Sequence, residues 1–301
     1  MDAYVVAVGI TALIYVLLAL GLNLQYGFTG LINFGHVGFF AIGAYTSALL
    51  ALQGWPLPLT IASAAVLAAL AAYPIGLVAL RLRDDYLAIV TLGFSETVRL
   101  VIQQEAWLTK GVQGLPGIPR IFGDFGIGTL SEWATLGLLL VMNAIAVWLI
   151  LRMVRSPFGR LIEAVRDDED AVRALGKDPA RFKVQVLMIG AALAGIAGAM
   201  QAHYITFISP EMFVPLVTFY VWMAIIMGGA GRVSGAVVGT LILIGFLEGS
   251  RFLRDLPGLD WISEVQMASV RLAVVGLVLV LFTLYRPQGL MGDFSTRGRK
   301  S

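Results

Sequence analysis

Long apolar stretches, separated by short polar segments, occupy most of the chain. Each stretch is continuously apolar rather than alternating with polar residues, which is typical of membrane-spanning helices and excludes a transmembrane barrel. The pattern predicts an all-α, polytopic transmembrane helix bundle with about nine spans, within a range of eight to ten because two stretches are short. The predicted spans are 4–22, 31–52, 57–80, 86–102, 133–151, 184–202, 214–227, 236–248 and 268–284.

Two segments contain more glycine than an undisturbed helix would carry. A glycine inside a helix costs about 1 kcal/mol relative to alanine, so each segment either breaks the helix or allows a neighbouring helix to pack very closely. The similar spacing of the two segments, with a one-residue offset, is consistent either with an internal duplication or with ordinary glycine enrichment of a membrane protein. The glycines are Gly27, Gly30, Gly35, Gly38 and Gly43 in the first segment and Gly228, Gly231, Gly235 and Gly239 in the second.

Small residues recur at every fourth position of the predicted span 184–202. Stripes with this spacing allow helices to approach closely, so we expect this span in the middle of the bundle or at a subunit contact. One stripe is Gly190, Ala194 and Gly198, and the next is Ala191, Gly195 and Ala199.

Residues 152–183 form a long polar interruption, with eight Lys or Arg and six Asp or Glu. Asp167 is predicted to be the N-cap of a helix of about two turns, because the carboxylates at 168–170 then lie at the positive end of the helix dipole. Gly176 is predicted to close this helix in a left-handed conformation. Glu169 and Arg173 lie one turn apart and can form an ion pair.

The same polar segment contains the start of the following span. Asp178 and Pro179 predict the N-cap and the first position of that helix. The two-turn helix before it is too short to be stable alone, so we expect it to dock on a partner. The alternative is an ordinary charged loop that faces water.

Composition and charge support a membrane protein with a defined orientation. The 301 residues are 58% hydrophobic and 13% charged, which excludes a soluble domain and indicates one transmembrane domain over 1–301. If residues 152–183 are cytoplasmic, fifteen of the 21 Lys and Arg lie inside, as the positive-inside rule requires. The N-terminus is then outside, the C-terminus is cytoplasmic, and residues 103–132 form a periplasmic loop. The inside residues are the eight in 152–183 with Arg81, Arg83, Arg232, Arg286, Arg297, Arg299 and Lys300.

The sequence lacks the motifs of several catalytic and metal-binding classes. Its one Gly-Lys pair, Gly176-Lys177, is followed by Asp178, so there is no phosphate-binding loop for ATP. The chain contains no H-E-x-x-H, no G-x-S-x-G, no cysteine and only two histidines. We therefore expect no catalytic residues, no metal site and no cofactor. The first residues also lack the features of a removable signal peptide.

Three polar residues in apolar surroundings are candidates for a substrate path. Asn33 and His36 lie in the first glycine-rich segment, where they either line a polar route or satisfy each other or a freed backbone carbonyl. Glu96 lies about 16 Å along its helix from Asp85, near the middle of the membrane. It either pairs with Arg99 or faces a polar pathway, because an isolated carboxylate there is costly. His203 is expected at the outer membrane boundary.

Several of these segments resemble one family of transporters. The most specific match is RLRDDYLAIVTLGFSETVR, followed by RLIEAVRDDEDAVRALGKDPARFK with AALAGIAGAM after it. They resemble the LivM-type permeases of branched-chain amino acid ABC importers, over roughly residues 21–292. The segment LTKGVQGLPGIP is similar to a Gly/Pro loop of that family but has Thr109-Lys110-Gly111 where the family usually has Thr-Gly-Gly or Thr-Asn-Gly.

The resemblance implies a permease subunit that is not itself an enzyme. The expected partners are two ABC ATPase subunits, a LivH-type permease, a periplasmic amino-acid-binding protein and membrane lipid, with no nucleic acid. The resemblance also implies a bacterial inner-membrane location and a branched-chain or related amino acid as substrate, with amides or urea as a nearby possibility. The residues implied to couple to the ATPase are Glu163, Ala164, Val165, Arg166, Asp167, Asp168, Glu169, Asp170, Ala171, Val172, Arg173, Ala174, Leu175 and Gly176.

The competing hypothesis is a self-contained secondary transporter or channel for a small polar solute. Such a protein needs acidic groups or a filter near the middle of the membrane, and Glu96 is the lone candidate for that role. Uptake by the chain alone, without ATP, would favour this alternative.

Overall fold

The computed structural model describes residues 2–79, 84–123, 128–249, 264–285 and 289–291. These residues are almost entirely helical, with two short 3-10 turns and one pair of two-residue strands. The helices in chain order are α1 Asp2–Thr29, α2 His36–Leu52, α3 Leu57–Ala79, α4 Asp84–Gln104, α5 Ala106–Thr109, α6 Gly128–Val154, α7 Pro157–Asp167, α8 Glu169–Ala174, α9 Pro179–Ile205, α10 Pro215–Gly228, α11 Val233–Gly249 and α12 Glu264–Tyr285.

The predicted apolar spans correspond to separate helices, which confirms the all-α polytopic fold. Within the described residues, six helices are long and apolar enough to cross a membrane, and α2 and α11 are shorter apolar helices. The exact number of spans stays a prediction. Some boundaries were wrong: the span 31–52 becomes helical only at His36, after a break in the backbone, and α1 continues to Thr29, beyond the predicted end of the span 4–22.

Helix α9 lies in the middle of the bundle and packs against α1, α2 and α3. Its small residues allow this packing. A Cβ atom on Gly190 would lie 2.7 Å from the Gly21 carbonyl oxygen, and one on Gly195 would lie 2.6 Å from the Ala64 carbonyl oxygen. Both distances are too short for non-bonded atoms, so these helices meet at their backbones. This confirms the central position predicted from the small-residue stripes.

Helix α1 is also buried, with α6 and α11 packed against it in addition to α9. The outer helices instead present apolar side chains to the surroundings of the chain. On α6, Trp133 and Trp148 are exposed and lie about 22 Å apart along the helix axis. The Arg152 guanidinium stacks over Trp148, 5.5 Å from the ring centre. An exposed aromatic residue near each end of an apolar face is typical of a membrane-spanning helix.

The segment between α4 and α6 is tied to the far end of α9. Its strand Leu115–Pro116 pairs antiparallel with Phe207–Ile208, which follows α9. His203 is buried beneath this contact, with Nε2 2.8 Å from Ser47 Oγ and Nδ1 2.8 Å from the Pro119 carbonyl oxygen. Its two ring nitrogens therefore join α9 to α2 and to the connecting segment, and its predicted position at the membrane boundary stays a prediction.

Part of the predicted charge distribution lies outside the described residues. This applies to the basic residues Arg81, Arg83, Arg286, Arg297, Arg299 and Lys300. The polar segment 152–183 is described completely, as α7, α8, the start of α9 and their connections.

Candidate functional site

The chain reverses direction between α1 and α2. Gly30 adopts a φ of +77°, which favours glycine, and the Leu31 N–H donates to the Gln25 carbonyl oxygen at 2.9 Å. His36, the first residue of α2, lies 3.1 Å from the Leu18 carbonyl oxygen through Nε2. Leu18 is about 16 Å from the end of α1, so α2 begins beside the middle of α1. Of the two predicted alternatives, the backbone break is confirmed, and close packing occurs as well.

Asn33 and His36 are both fully buried in this break. Asn33 Nδ2 donates to Gln25 Oε1 at 2.8 Å, and Asn33 Oδ1 accepts from the Gly35 N–H at 2.8 Å. His36 uses Nε2 for the Leu18 carbonyl oxygen. Asn33 and His36 do not pair with each other. Their contacts favour the alternative in which they satisfy neighbouring polar groups over the one in which they line a polar route. A role in the substrate path stays a prediction for both.

Two threonines and a tryptophan hold the start of α2, and sequence reasoning did not identify them. Thr91 Oγ1 on α4 accepts from the Phe34 N–H at 3.1 Å, and Thr218 Oγ1 on α10 accepts from the Val37 N–H at 3.0 Å. Trp222 Nε1 donates to the Asn33 carbonyl oxygen at 3.0 Å. A helix that starts inside a bundle needs acceptors for its first N–H groups, but the sequence does not indicate which helix supplies them.

Glu96 and Arg99 form an ion pair on α4, which is one of the two alternatives that the sequence left open. Arg99 Nη2 lies 2.6 Å from Glu96 Oε2, and the side chains are 22% and 33% exposed, respectively. One turn earlier, a Cβ on Gly93 would meet no atom within 4 Å. The pair therefore lies on an open face of α4. A charged pair is costly in contact with lipid, which favours a neighbouring protein chain or a wet route at this face.

The polar segment 152–183 contains two helices where sequence analysis predicted one, and the predicted N-cap was wrong. Asp167 is the last residue of α7, and Asp168 caps α8 by accepting from the N–H groups of Asp170 and Ala171, each at 3.0 Å. Helix α7 continues to Asp167 because Ile162 and Val165 are buried on one of its faces. With consecutive carboxylates available, local propensity alone does not select the cap.

Other predicted features of this segment are confirmed. Gly176 has a φ of +73°, and Asp178 caps α9 through a 3.1 Å bond from the Ala180 N–H. Arg173 Nη2 lies 3.2 Å from Glu169 Oε2.

Two polar contacts connect α7 and α8 to the long helices α1 and α9. Arg166 Nη1 donates to the Gly27 carbonyl oxygen of α1 at 2.9 Å. Glu169 pairs with Lys183 of α9. Val165 and Val172 are buried, whereas Asp170 and Arg173 are exposed and Leu175 is 80% exposed. The segment thus has a face anchored to α1 and α9 and an opposite face that is exposed.

The corrected cap gives a direct prediction. We expect Asp168→Ala to destabilise α8 by about 1 kcal/mol, because two backbone N–H groups lose their acceptor. Hydrogen exchange at the Asp170 and Ala171 amides should then accelerate about fivefold, since 1.4 kcal/mol corresponds to a factor of ten. Asp167→Ala is the matched control, because Asp167 accepts from no α8 amide. Equal acceleration in both variants would contradict the assignment of Asp168 as the cap.

No metal-binding cluster is found in the part of the chain that the structure describes. No group of three His, Cys, Asp or Glu side chains there could hold a metal ion.

Comparison with known proteins gives a consistent family relationship. The family model described as "Branched-chain amino acid transport system / permease component" matches residues 4–283. The permease protein LivM of Escherichia coli is 36% identical over an alignment that covers 93% of this chain and 68% of LivM. A probable LivM of Methanocaldococcus jannaschii is 25% identical, covering 93% of this chain and 91% of the relative. LivH of E. coli is 26% identical, covering 92% of this chain and 91% of LivH. No solved structure matches the chain.

Proposed function

The chain belongs to the family of branched-chain amino acid transport permease components, and from this membership we propose that it moves branched-chain or related amino acids across the bacterial inner membrane. In this proposal it is the LivM-type subunit of an ATP-driven importer. The proposed coupling rests on one observation. The polar segment of α7 and α8 is anchored to α1 and α9 on one side and is exposed on the other.

We propose that the importer has two ATPase subunits and that one of them binds the open face of this segment from the cytoplasm. The residues proposed for this contact are those from 163 to 176, with the exposed members Asp170, Arg173 and Leu175 closest to the partner. Movement of α8 would reach α9 through Glu169 and Lys183, and movement of α7 would reach α1 through Arg166. Two short helices with separate anchors replace the one two-turn helix that the sequence predicted.

The sequence supports external energy coupling, because it contains no phosphate-binding loop. We propose a LivH-type permease as the second membrane subunit, supported by the similarity of the chain to LivH itself. A periplasmic binding protein would deliver the substrate on the side of residues 103–132. This orientation, with the N-terminus outside and the C-terminus cytoplasmic, is supported by the basic residues of 152–183.

We propose that the open face of α4 lines the substrate route, with Glu96 and Arg99 as its charged pair. Beside this face, α2 and α4 enclose an apolar cavity of about 350 Å³, lined in part by Tyr45, Thr97 and Val98. An aliphatic side chain suits such a lining, because its transfer from water to an apolar surface is favourable. Asn33 and His36 would contribute by holding the chain reversal at the start of α2.

Reconstitution tests the proposed function. The chain, a LivH-type permease, two ATPases and the binding protein in liposomes should take up radiolabelled leucine when ATP is supplied. Uptake should fall to background without the ATPases, and unlabelled valine and isoleucine should compete. If amides or urea compete with the labelled leucine and valine and isoleucine do not, the substrate belongs to the amides rather than to the branched-chain amino acids. Leucine uptake by this chain alone, without ATP, would instead support a self-contained transporter.

A further inference from the structure

A cavity of about 280 Å³ lies where the last turn of α9 meets the first two turns of α6 and the segment that precedes α6. We call it the outer cavity. Tyr204, which lines it, is about 38 Å along the axis of α9 from Pro179, so the cavity and α8 are at opposite ends of α9. The outer cavity is therefore on the side of the bundle proposed to be periplasmic.

The segment that carries Arg120 is fixed on both sides of this residue. Before it, the Pro119 carbonyl oxygen lies 2.8 Å from His203 Nδ1 of α9. After it, the Phe122 carbonyl oxygen accepts from Ser131 Oγ of α6 at 2.8 Å. The backbone at Arg120 is thus held between two helices before any ligand binds. A site that is formed in advance loses less entropy on binding than one that must be ordered.

The residue that follows α9 adopts an uncommon conformation beside the cavity. Thr206 has a φ of +62°, which is an outlier for a β-branched residue. Its carbonyl oxygen accepts from the Ile118 N–H at 3.2 Å, so it ties the end of α9 to the segment that carries Arg120. Such conformations persist only where the surrounding structure fixes them, and they cluster at functional sites.

The outer cavity carries one positive and one negative side chain that do not pair with each other. Arg120 is exposed and Glu132 is half-buried, and neither side chain forms an ion pair with a residue that the structure describes. Both lie close enough to the Tyr204 hydroxyl group to act on it electrostatically. The two charges cancel in sum but stay separate in space, which suits a ligand that carries both charges.

The hydroxyl groups that line the cavity supply matching donors and acceptors. Ser131 Oγ donates to the Phe122 carbonyl oxygen, and Thr135 Oγ1 donates to the Ser131 carbonyl oxygen, each at 2.8 Å. Because these two protons are used, both oxygen atoms act on a ligand as acceptors. The Tyr204 hydroxyl group is half-buried in the same cavity and has a proton to donate.

The size and the apolar part of the lining favour a small aliphatic molecule. The cavity volume is close to the lower limit of about 300 Å³ for small-molecule sites, and Ile121 and Ile205 contribute hydrocarbon to the lining. An aliphatic α-amino acid presents a carboxylate, an ammonium group and a hydrocarbon side chain. These are the groups that the basic, acidic and apolar side chains of the cavity can bind.

We propose that the outer cavity binds a free α-amino acid as a zwitterion, with its carboxylate at Arg120 and Tyr204 and its ammonium group at Glu132. Ser131 and Thr135 offer further acceptors to the ammonium group. The zwitterion chemistry rests on the cavity alone, whereas the choice of an aliphatic amino acid rests on the proposed function. In the transporter this site would hold an amino acid on the side of delivery, apart from the open face of α4.

Equilibrium binding of radiolabelled leucine to the full chain in lipid nanodiscs tests the site, with no ATPase, binding protein or ATP present. Leucine should bind saturably, at one site per chain. Leucinamide lacks the carboxylate and isocaproate lacks the ammonium group. Each should therefore compete about tenfold more weakly than leucine, the factor expected for one hydrogen bond to a charged group.

Two substitutions separate the two halves of the site. Arg120→Gln should weaken leucine binding about tenfold and remove the preference for leucine over leucinamide, while the preference over isocaproate remains. Glu132→Gln should weaken leucine binding to a similar extent and show the opposite pattern of preferences. Lys110→Gln and Glu211→Gln are the matched controls, because both residues are exposed and lie outside the cavity.

Both test variants should stay monodisperse, because neither replaced side chain forms an ion pair within the described residues. Absence of saturable binding at millimolar leucine, or wild-type binding by either folded variant, would overturn the proposal and leave the two charges to solvent or another chain. Equal competition by the three compounds would also overturn it. Uptake by the reconstituted transporter is measured separately. Binding without uptake would contradict the proposed function alone, and uptake without binding would contradict this inference alone.

Discussion

Gly43→Leu should strongly destabilise the folded chain. Gly43 on α2 faces Gly195 on α9, and a Cβ atom at position 43 would overlap the carbonyl oxygen and Cα of Gly195. Because the obstacle is backbone, no side-chain rotation relieves the overlap, and the two helices must separate. We expect a loss of about 3 kcal/mol or more, the upper part of the range for overpacking. Fluorescence-detected size-exclusion chromatography after stepwise heating measures the loss.

Gly137→Leu is the matched control for this substitution. Gly137 also lies inside an apolar helix, α6, but a Cβ there would meet no atom within 4 Å. The control should therefore melt within a few degrees of wild type, whereas Gly43→Leu should aggregate or fail to accumulate. Equal thermal stability of the two variants would contradict the backbone contact between α2 and α9.

Leu175→Asp should uncouple the chain from its proposed ATPase while leaving the fold intact. Leu175 is 80% exposed at the end of α8, so its replacement removes no packing within the chain. If the side chain is buried in the partner, its loss removes about 2 kcal/mol of binding free energy, or roughly a thirtyfold change in affinity. A buried carboxylate adds a further cost. Co-purification of the ATPase and substrate-stimulated hydrolysis should both fall at least tenfold.

Val112→Asp is the control for this experiment. Val112 is 62% exposed and lies in the segment proposed to be periplasmic, so the same change of charge there should leave ATPase binding unchanged. A stronger but less specific disruption is the replacement of Asp168, Glu169 and Asp170 by lysine. It also removes the cap of α8, which Asp168 provides, and the ion pairs of Glu169 with Arg173 and Lys183. If ATPase binding by Leu175→Asp equals that of wild type, the segment is a solvated surface and the coupling proposal fails.

The sequence alone determined the features that depend on neighbouring residues. Continuous apolar runs predicted an all-α membrane bundle, because each helix satisfies its own backbone in lipid. The spacing of Glu169 and Arg173 predicted an ion pair, and that of Glu96 and Arg99 allowed one, and both pairs form across one helical turn. Asp178 and Gly176 were predicted in their observed roles because cap and left-handed positions have strong residue preferences.

Only the tertiary structure decided the features that depend on distant contacts. Asp168 rather than Asp167 caps α8, because burial of Ile162 and Val165 extends α7. The start of α2 inside the bundle is fixed by hydroxyl groups on α4 and α10, which sequence spacing does not relate to it. A cleft likewise brings together the end of α6 and the start of α11. Local preferences depend on consecutive residues, whereas the partner of each buried polar group depends on which helices pack together.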